Sequence, residues 1–220
     1  MTDLRGLFIT GTDTGVGKTR VSVARVETLE KRGHRVAAMK PVASGALQTP
    51  TGLRNEDAQQ LQAVASVAAP YEWVNPYCFA PAVAPHLAAR AAGISIELEQ
   101  IIETHRALAA QADWVIVEGV GGWNVPLGEQ LTTVDLAATL RWPVVLVVGL
   151  RLGCLNHALL TADAIGASGL PLAGWIANCI DPRCSEADAL IEDLERRLPA
   201  PRRGTVPWQG TLALQNWPPT

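Results

Sequence analysis

The chain has 220 residues, 18 Lys+Arg against 21 Asp+Glu and a formal net charge of -3, so it offers no broad basic surface to nucleic acid or to an anionic membrane. With 48% hydrophobic and 18% charged residues it can bury a large core, which excludes intrinsic disorder. The longest apolar run, Trp142 to Leu150, is about half a membrane span of ~20 residues. The opening Met-Thr-Asp-Leu-Arg has no apolar signal core, and Cys78, Cys154, Cys179 and Cys184 form no CxxC pair, so a soluble cytoplasmic protein with reduced thiols is expected.

Leu7 to Thr10 is a short apolar, β-branched run that predicts a strand, and Lys18 to Arg32 has helical spacing with Gly33 as its stop. Val36 to Met39 predicts a second strand, closed by Pro41. Asn55 to Ala68 predicts an alanine-rich helix, and Tyr71 to Pro85 a proline-rich irregular stretch. Ser95 can N-cap a helix running to about Gln111. Trp114 to Val117 is a continuous apolar strand before a loop with Gly119, Gly121 and Gly122. Thr133 to Leu140 is a short helix, Val144 to Val148 a buried strand, Leu155 to Ala167 a helix and Leu172 to Ala177 a strand. Ser185 to Leu198 is a helix with Ser185-x-x-Asp188 as a capping box, and Thr205 with Val206 a last edge strand. Strand and helix alternate, and several strands lack a polar face. That pattern predicts one α/β domain over residues 1–220, a parallel sheet flanked by helices, with an irregular tail.

In such a sheet ligands gather at the carboxyl ends of the strands. Gly11-Thr-Asp-Thr-Gly-Val-Gly-Lys18-Thr19, between a strand and a helix, reads as a phosphate-binding P-loop. Its glycines let backbone N–H groups point inward, Lys18 reaches the terminal phosphates, and the Thr19 hydroxyl is placed for Mg²⁺. The usual spacing would put glycine where Thr12 stands; Gly11 lies one residue earlier. Only three of the cationic side chains are lysine (Lys18, Lys31 and Lys40), so a lysine at a special place signals a need for a slim point charge. Lys40-Pro41-Val42-Ala43-Ser44-Gly45 follows the second strand and aims Lys40 into the crevice of Lys18. Asp57 in Arg54-Asn55-Glu56-Asp57 could meet a metal or serve the helix dipole. Glu118, ending a buried strand, is the expected second contact to Mg²⁺ or its waters. The four histidines share no metal-ligand spacing, and no G-x-S-x-G elbow is present.

GTDTGVGKT, KPVASG, RNEDA, VNPYCFA, PHLAA, DWVIVEGVGGW, VVGLRLGCLNH, LAGWIAN and the late VPW occur in the order found in dethiobiotin synthetases, which the chain resembles from Phe8 to about Trp208. The resemblance implies ATP- and Mg²⁺-dependent closure of a ureido ring on 7,8-diaminononanoate with CO₂, by a homodimer with a seven-stranded-type parallel sheet of P-loop NTPase character. It implies that Thr14, Gly15, Val16, Gly17, Lys18 and Thr19 wrap the ATP phosphates, with Thr12 near the transferred group and Gly119, Val120 and Gly121 close to the nucleotide. Thr19, Asp57 and Glu118 would surround Mg²⁺, Lys40 would hold the carbamate and γ-phosphate, and Ser44 would contact the diamine. Asn178 and Cys179 would read adenine, with Pro207, Trp208 and Gln209 near base and ribose. Gly153, Cys154, Leu155 and Asn156 would take the substrate's distal carboxylate from the partner subunit, a role a helix N-terminus suits. Arg151 beside them reads as a solvated surface side chain. After Trp208 the tail departs from the family pattern, leaving the ribose contacts and nucleotide selectivity open.

Two rival readings share the fold. An amide-forming ligase of the cobyrinate amidation type normally carries a glutamine-hydrolysing domain, for which 220 residues leave no room. A ParA/MinD-type ATPase switch favours a second lysine inside its P-loop, and Thr12 to Gly17 holds none.

Overall fold

A computed structural model describes residues 5–214, with side chains described to residue 212. Its elements are β1 (Arg5–Gly11), α1 (Lys18–Glu30), β2 (Val36–Met39), β3 (Val42–Ser44), β4 (Leu47–Thr49), β5 (Gly52–Arg54), α2 (Glu56–Val64), α3 (Tyr71–Val74), β6 (Tyr77–Phe79), α4 (Pro85–Ala91) and α5 (Leu98–Ala109). There follow β7 (Trp114–Glu118), α6 (Thr133–Leu140), β8 (Val144–Leu150), α7 (Cys154–Ala167), β9 (Leu172–Cys179), α8 (Ala187–Arg197), β10 (Arg202–Val206) and β11 (Ala213–Leu214).

Among the described residues the main sheet has seven strands in the order β11-β10-β9-β8-β1-β7-β2, parallel except for β11 against β10. Alternate residues of each strand feed two cores. Leu7, Ile9, Val145 and Val147 pack with α1 and α2 residues such as Val26 and Leu61, whereas Phe8, Leu146 and Val148 pack with α5, α7 and α8 residues such as Ile101, Ile165 and Leu194. Burial on both faces is why these strands carry no polar alternation. The expected α/β sheet is therefore present, with β1 between β7 and β8 at its centre.

Four local expectations are corrected. Tyr71 to Pro85 is not irregular: it contains α3, β6 paired parallel with β3, and Pro85 at the start of α4. Ser95 does not cap α5, whose N-cap is Glu97; the Tyr77 hydroxyl accepts from Glu97 N (2.8 Å) and donates to Gln100 Oε1 (2.7 Å), so a tertiary contact replaces the local cap. Ser185 forms no capping box, because its hydroxyl donates to Glu186 Oε1 and α8 begins at Ala187. Thr205 and Val206 are not on an edge strand, since β11 pairs beyond β10. The reading of the tail beyond residue 214 lies outside the described residues.

Candidate active site

The P-loop leaves β1 and enters α1 through glycines with φ of 75° (Gly15) and 91° (Gly17), a left-handed backbone that other residues adopt only under strain. Gly17 is the N-cap of α1, so the first helical N–H groups open toward the loop. Lys18 folds back over this turn and donates to Gly121 O (2.5 Å) and Asp13 O (3.0 Å). Burial, then the neighbouring Lys40 charge, pushes its pKa down to about 8.

Lys40 and Glu118 extend from the carboxyl ends of β2 and β7, which are adjacent strands. Lys40 is 4% exposed and Glu118 0%, and their 2.5 Å contact is a buried ion pair. Lys40 Nζ also meets Asp57 Oδ2 at 2.9 Å. Burial works to lower the Lys40 pKa, but the two carboxylates outweigh it and hold the ammonium above its ordinary value. Burial raises the Asp57 pKa, and Lys40 outweighs that in turn, leaving the carboxyl more acidic than usual. Thr19 Oγ1 donates to Glu118 Oε1 (2.9 Å), whose second oxygen, Oε2, is buried with no protein partner. Asp57 sits in the first turn of α2, behind Asn55, whose side chain caps that helix by accepting from Ala58 N (3.3 Å).

These groups open onto one cavity of about 860 Å³. Thr14, Gly15, Gly17, Lys18, Thr19, Lys40, Ser44, Asp57, Glu118, Val120 and Gly121 all line it. The Ser44 hydroxyl there has no protein partner. Val16 is buried beneath the loop, and Gly119 N donates to Ile9 O (2.9 Å) within the sheet. Thr12 is half-buried, its N–H given to Val147 O (3.0 Å), and it is not in the cavity wall.

Asn178 stands on the other flank of the loop. Its Nδ2 donates to Val16 O (2.7 Å), and its Oδ1 is buried without a partner. Because β9 pairs with β10, Asn178 and Cys179 lie beside the exposed turn Pro207-Trp208-Gln209. Gly153, Cys154, Leu155 and Asn156 open α7 and are not part of the main cavity's wall, with Cys154 buried and the preceding Leu152 fully exposed.

Arg151 keeps the surface position expected of it, and there pairs with Asp13 of the P-loop at 2.6 Å. The Thr14 N–H, ahead of Arg151, makes the Asp13 carboxyl more acidic than usual. A pair 138 residues apart carries no signal in local sequence pattern. Ala82, Val83, Ala84 and Val125 also enter the cavity wall without any motif to mark them.

A family model described as an AAA domain matches residues 5–216. The ATP-dependent dethiobiotin synthetase BioD of Xanthomonas axonopodis pv. citri (strain 306) is 50% identical over 202 residues, covering 92% of this chain and 90% of that relative. The protein of the same name from Pseudomonas aeruginosa (strain UCBPP-PA14) is 52% identical over 201 residues, 91% of this chain and 88% of the relative. That of Pseudescherichia vulneris is 49% identical over 206 residues, covering 94% and 86%. Among solved structures, the signal recognition particle 54 kDa protein from Aeropyrum pernix K1 in complex with GDP has a TM-score of 0.56 at 17% identity. That match takes in 98% of this chain and 44% of the other, so the chain spans less than half of that protein and the likeness is one of fold alone.

Proposed function

The chain belongs to the dethiobiotin synthetase family, and from that membership we propose how its own residues share the work. The activity is ATP-dependent closure of the ureido ring of dethiobiotin, a C–N bond-forming ligation on 7,8-diaminononanoate and CO₂. One amine captures CO₂, the carbamate attacks the γ-phosphate, and the second amine attacks the resulting carbamic–phosphoric anhydride, releasing phosphate.

Two anions must approach each other in the second step, so the protein's task is positioning and charge neutralisation. P-loop amides from Thr14 to Thr19 orient the triphosphate, and Lys18 neutralises its terminal oxygens. Lys40 bridges carbamate and γ-phosphate, and Ser44 Oγ, with no partner inside the protein, contacts the diamine. Asn178 Oδ1 is a free buried acceptor suited to the exocyclic amine of adenine, with Cys179 and residues 207–209 beside the base and ribose. Thr19, Asp57 and Glu118 would hold Mg²⁺; the unpartnered Glu118 Oε2 and an all-oxygen donor set fit that ion. When bound, Mg²⁺ supplies charge neutralisation at the phosphate oxygens. The working unit is a homodimer in which Gly153 to Asn156 of one subunit receive the distal carboxylate of substrate held by the other. Its location is the cytoplasm, where the four free thiols stay reduced.

The observation that carries this reading is the meeting of Lys18, Lys40, Thr19, Asp57 and Glu118 in one cavity beside the phosphate loop. Phosphate release from ATP should require both 7,8-diaminononanoate and bicarbonate. Release that ignores the diamine, or responds instead to DNA, lipid or a protein partner, would refute the assignment.

A further inference from the structure

The segment Val74-Asn75-Pro76-Tyr77 takes no part in the chemistry above, yet it contains one of the most buried polar side chains of the molecule, Asn75, at 3% exposure. A buried carboxamide is costly unless its groups are bonded. Here both ends are used. Asn75 Nδ2 donates to Lys40 O (2.7 Å) and Tyr77 O (3.1 Å), and Asn75 Oδ1 accepts from the Tyr71 hydroxyl (3.0 Å). The need for these donors begins in the sheet. β2 lies at the edge of its sheet and ends before Lys40, and Pro41 supplies no N–H, so the Lys40 peptide leaves the ladder. The 74–77 segment takes over that role: Val74 O accepts from Lys40 N (2.7 Å), Asn75 supplies the donor to Lys40 O, and Tyr77 N donates to Pro41 O (3.1 Å).

The same carboxamide reaches the rest of the cavity through one hydroxyl. Tyr71 OH accepts from Asn55 N (2.8 Å), Asn55 caps the helix whose first turn holds Asp57, and Asn55 Nδ2 donates to Ser44 O (3.3 Å). Lys40 and Ser44 stand on the continuous stretch from the end of β2 through β3 and Asp57 on α2, and the chain Asn75–Tyr71–Asn55 joins all three. The hydrogen bonds named for these three side chains do not reach the P-loop.

We propose that Asn75, acting with Tyr71, is a positioning residue for the reacting side of the site: it fixes the backbone from which Lys40 projects and ties it to Ser44 and Asp57, independently of the nucleotide-binding loop. The proposal rests on the reading of Lys40 as the lysine that meets carbamate and γ-phosphate. A fully bonded buried network is rigid, and displacement of a reacting group by about 1 Å can cost ~10²-fold in rate.

Asn75→Asp keeps the shape and the acceptor for Tyr71 but turns an oxygen toward two carbonyls. Tyr71→Phe removes a single oxygen. Each is compared with the parent and with Lys40→Ala for ATP affinity by direct titration and for kcat of diamine-dependent phosphate release. We expect Asn75→Asp to lose ~10–100-fold in kcat and Tyr71→Phe several-fold, with ATP affinity within about threefold of the parent in both. Should Asn75→Asp fail to fold, Tyr71→Phe decides by the same criteria. Parental kcat in the folded network variants beside an inactive Lys40→Ala overturns the proposal alone. Loss of ATP affinity in parallel with kcat also overturns it, because that marks a general structural role. Parental turnover in Lys40→Ala overturns the underlying reading of the lysine, and the proposal with it.

Discussion

Gly17 and Gly15 form a matched pair within one loop, and they should respond differently to alanine. Both hold a left-handed backbone, φ 91° and 75°, so alanine at either incurs strain of about 1–2 kcal/mol. A Cβ on Gly15 meets nothing within 4 Å, whereas a Cβ on Gly17 collides with Asn178 Nδ2. That nitrogen is bonded to Val16 O at 2.7 Å, and Asn178 is 3% exposed. Moving it aside leaves a buried amide and carbonyl unpaired, a further cost of about 1–3 kcal/mol. Gly15→Ala should therefore lose about 1–2 kcal/mol and Gly17→Ala about 2–5 kcal/mol. Urea unfolding of both variants, at unchanged m-value, measures the difference. Unfolded-state entropy cancels, because the substitution is the same. In the double variant Gly17→Ala with Asn178→Ala the two losses should fall short of additivity. Equal losses at Gly15 and Gly17, within about 0.5 kcal/mol, would refute the claim that Asn178 braces the loop.

Lys18→Ala should weaken ATP binding and turnover together, while Lys40→Ala should lower turnover with ATP still bound; nucleotide titration giving the reverse order would exchange the two roles. Since the Lys18 pKa is held down to about 8 without nucleotide, ATP should draw a proton onto it. Calorimetry in buffers of different ionisation enthalpy should find uptake near pH 8–9, fading by pH 6 and absent in Lys18→Ala. His105 accepts from Trp142 Nε1 (3.0 Å), and burial, with Arg106 nearby, lowers its pKa from 6.5 to about 4. Between those values the unfolded chain binds a proton that the folded one does not, so stability should fall by about 3 kcal/mol on going from pH 6.5 to pH 4. His105→Gln should flatten that part of the profile, and an unaltered profile in the variant would show that His105 is not its source. Mixing Lys18→Ala chains with chains altered at Gly153 to Asn156 should restore activity through one intact site per mixed dimer. Confirmed subunit exchange without recovery would show that the carboxylate is bound within one chain.

The legible parts of the site were those written in local sequence. Gly17-Lys18-Thr19 after a strand, Lys40 before Pro41, and Glu118 at the end of an apolar run each announce a strand end from which a side chain can reach a ligand. The sheet was legible because its strands are apolar on both faces. Tyr71 to Pro85 was not, because its short elements depend on distant partners: β6 on β3, and the Tyr71 hydroxyl on Asn55. The start of α5 was misplaced for the same reason, a tyrosine from another element supplying what Ser95 was expected to supply. Arg151 shows the limit most plainly. Nothing near it in sequence signals that its partner is Asp13.

The central place of β1 bears on how the protein can be made. Its ladder partners are β7 and β8, which begin at Trp114 and Val144. On a ribosome adding ~5–20 residues per second, β1 emerges on the order of 10 s before β8. Until β7 emerges, Leu7, Phe8 and Ile9 belong to an apolar strand with both edges open, and until β8 emerges one edge stays open, a hazard for pairing with another chain. The phosphate loop that follows cannot be anchored until Thr12 N finds Val147 O. Nucleotide therefore cannot protect the early nascent chain. A fragment ending before β8 should need a chaperone, and added ATP should not rescue it by binding.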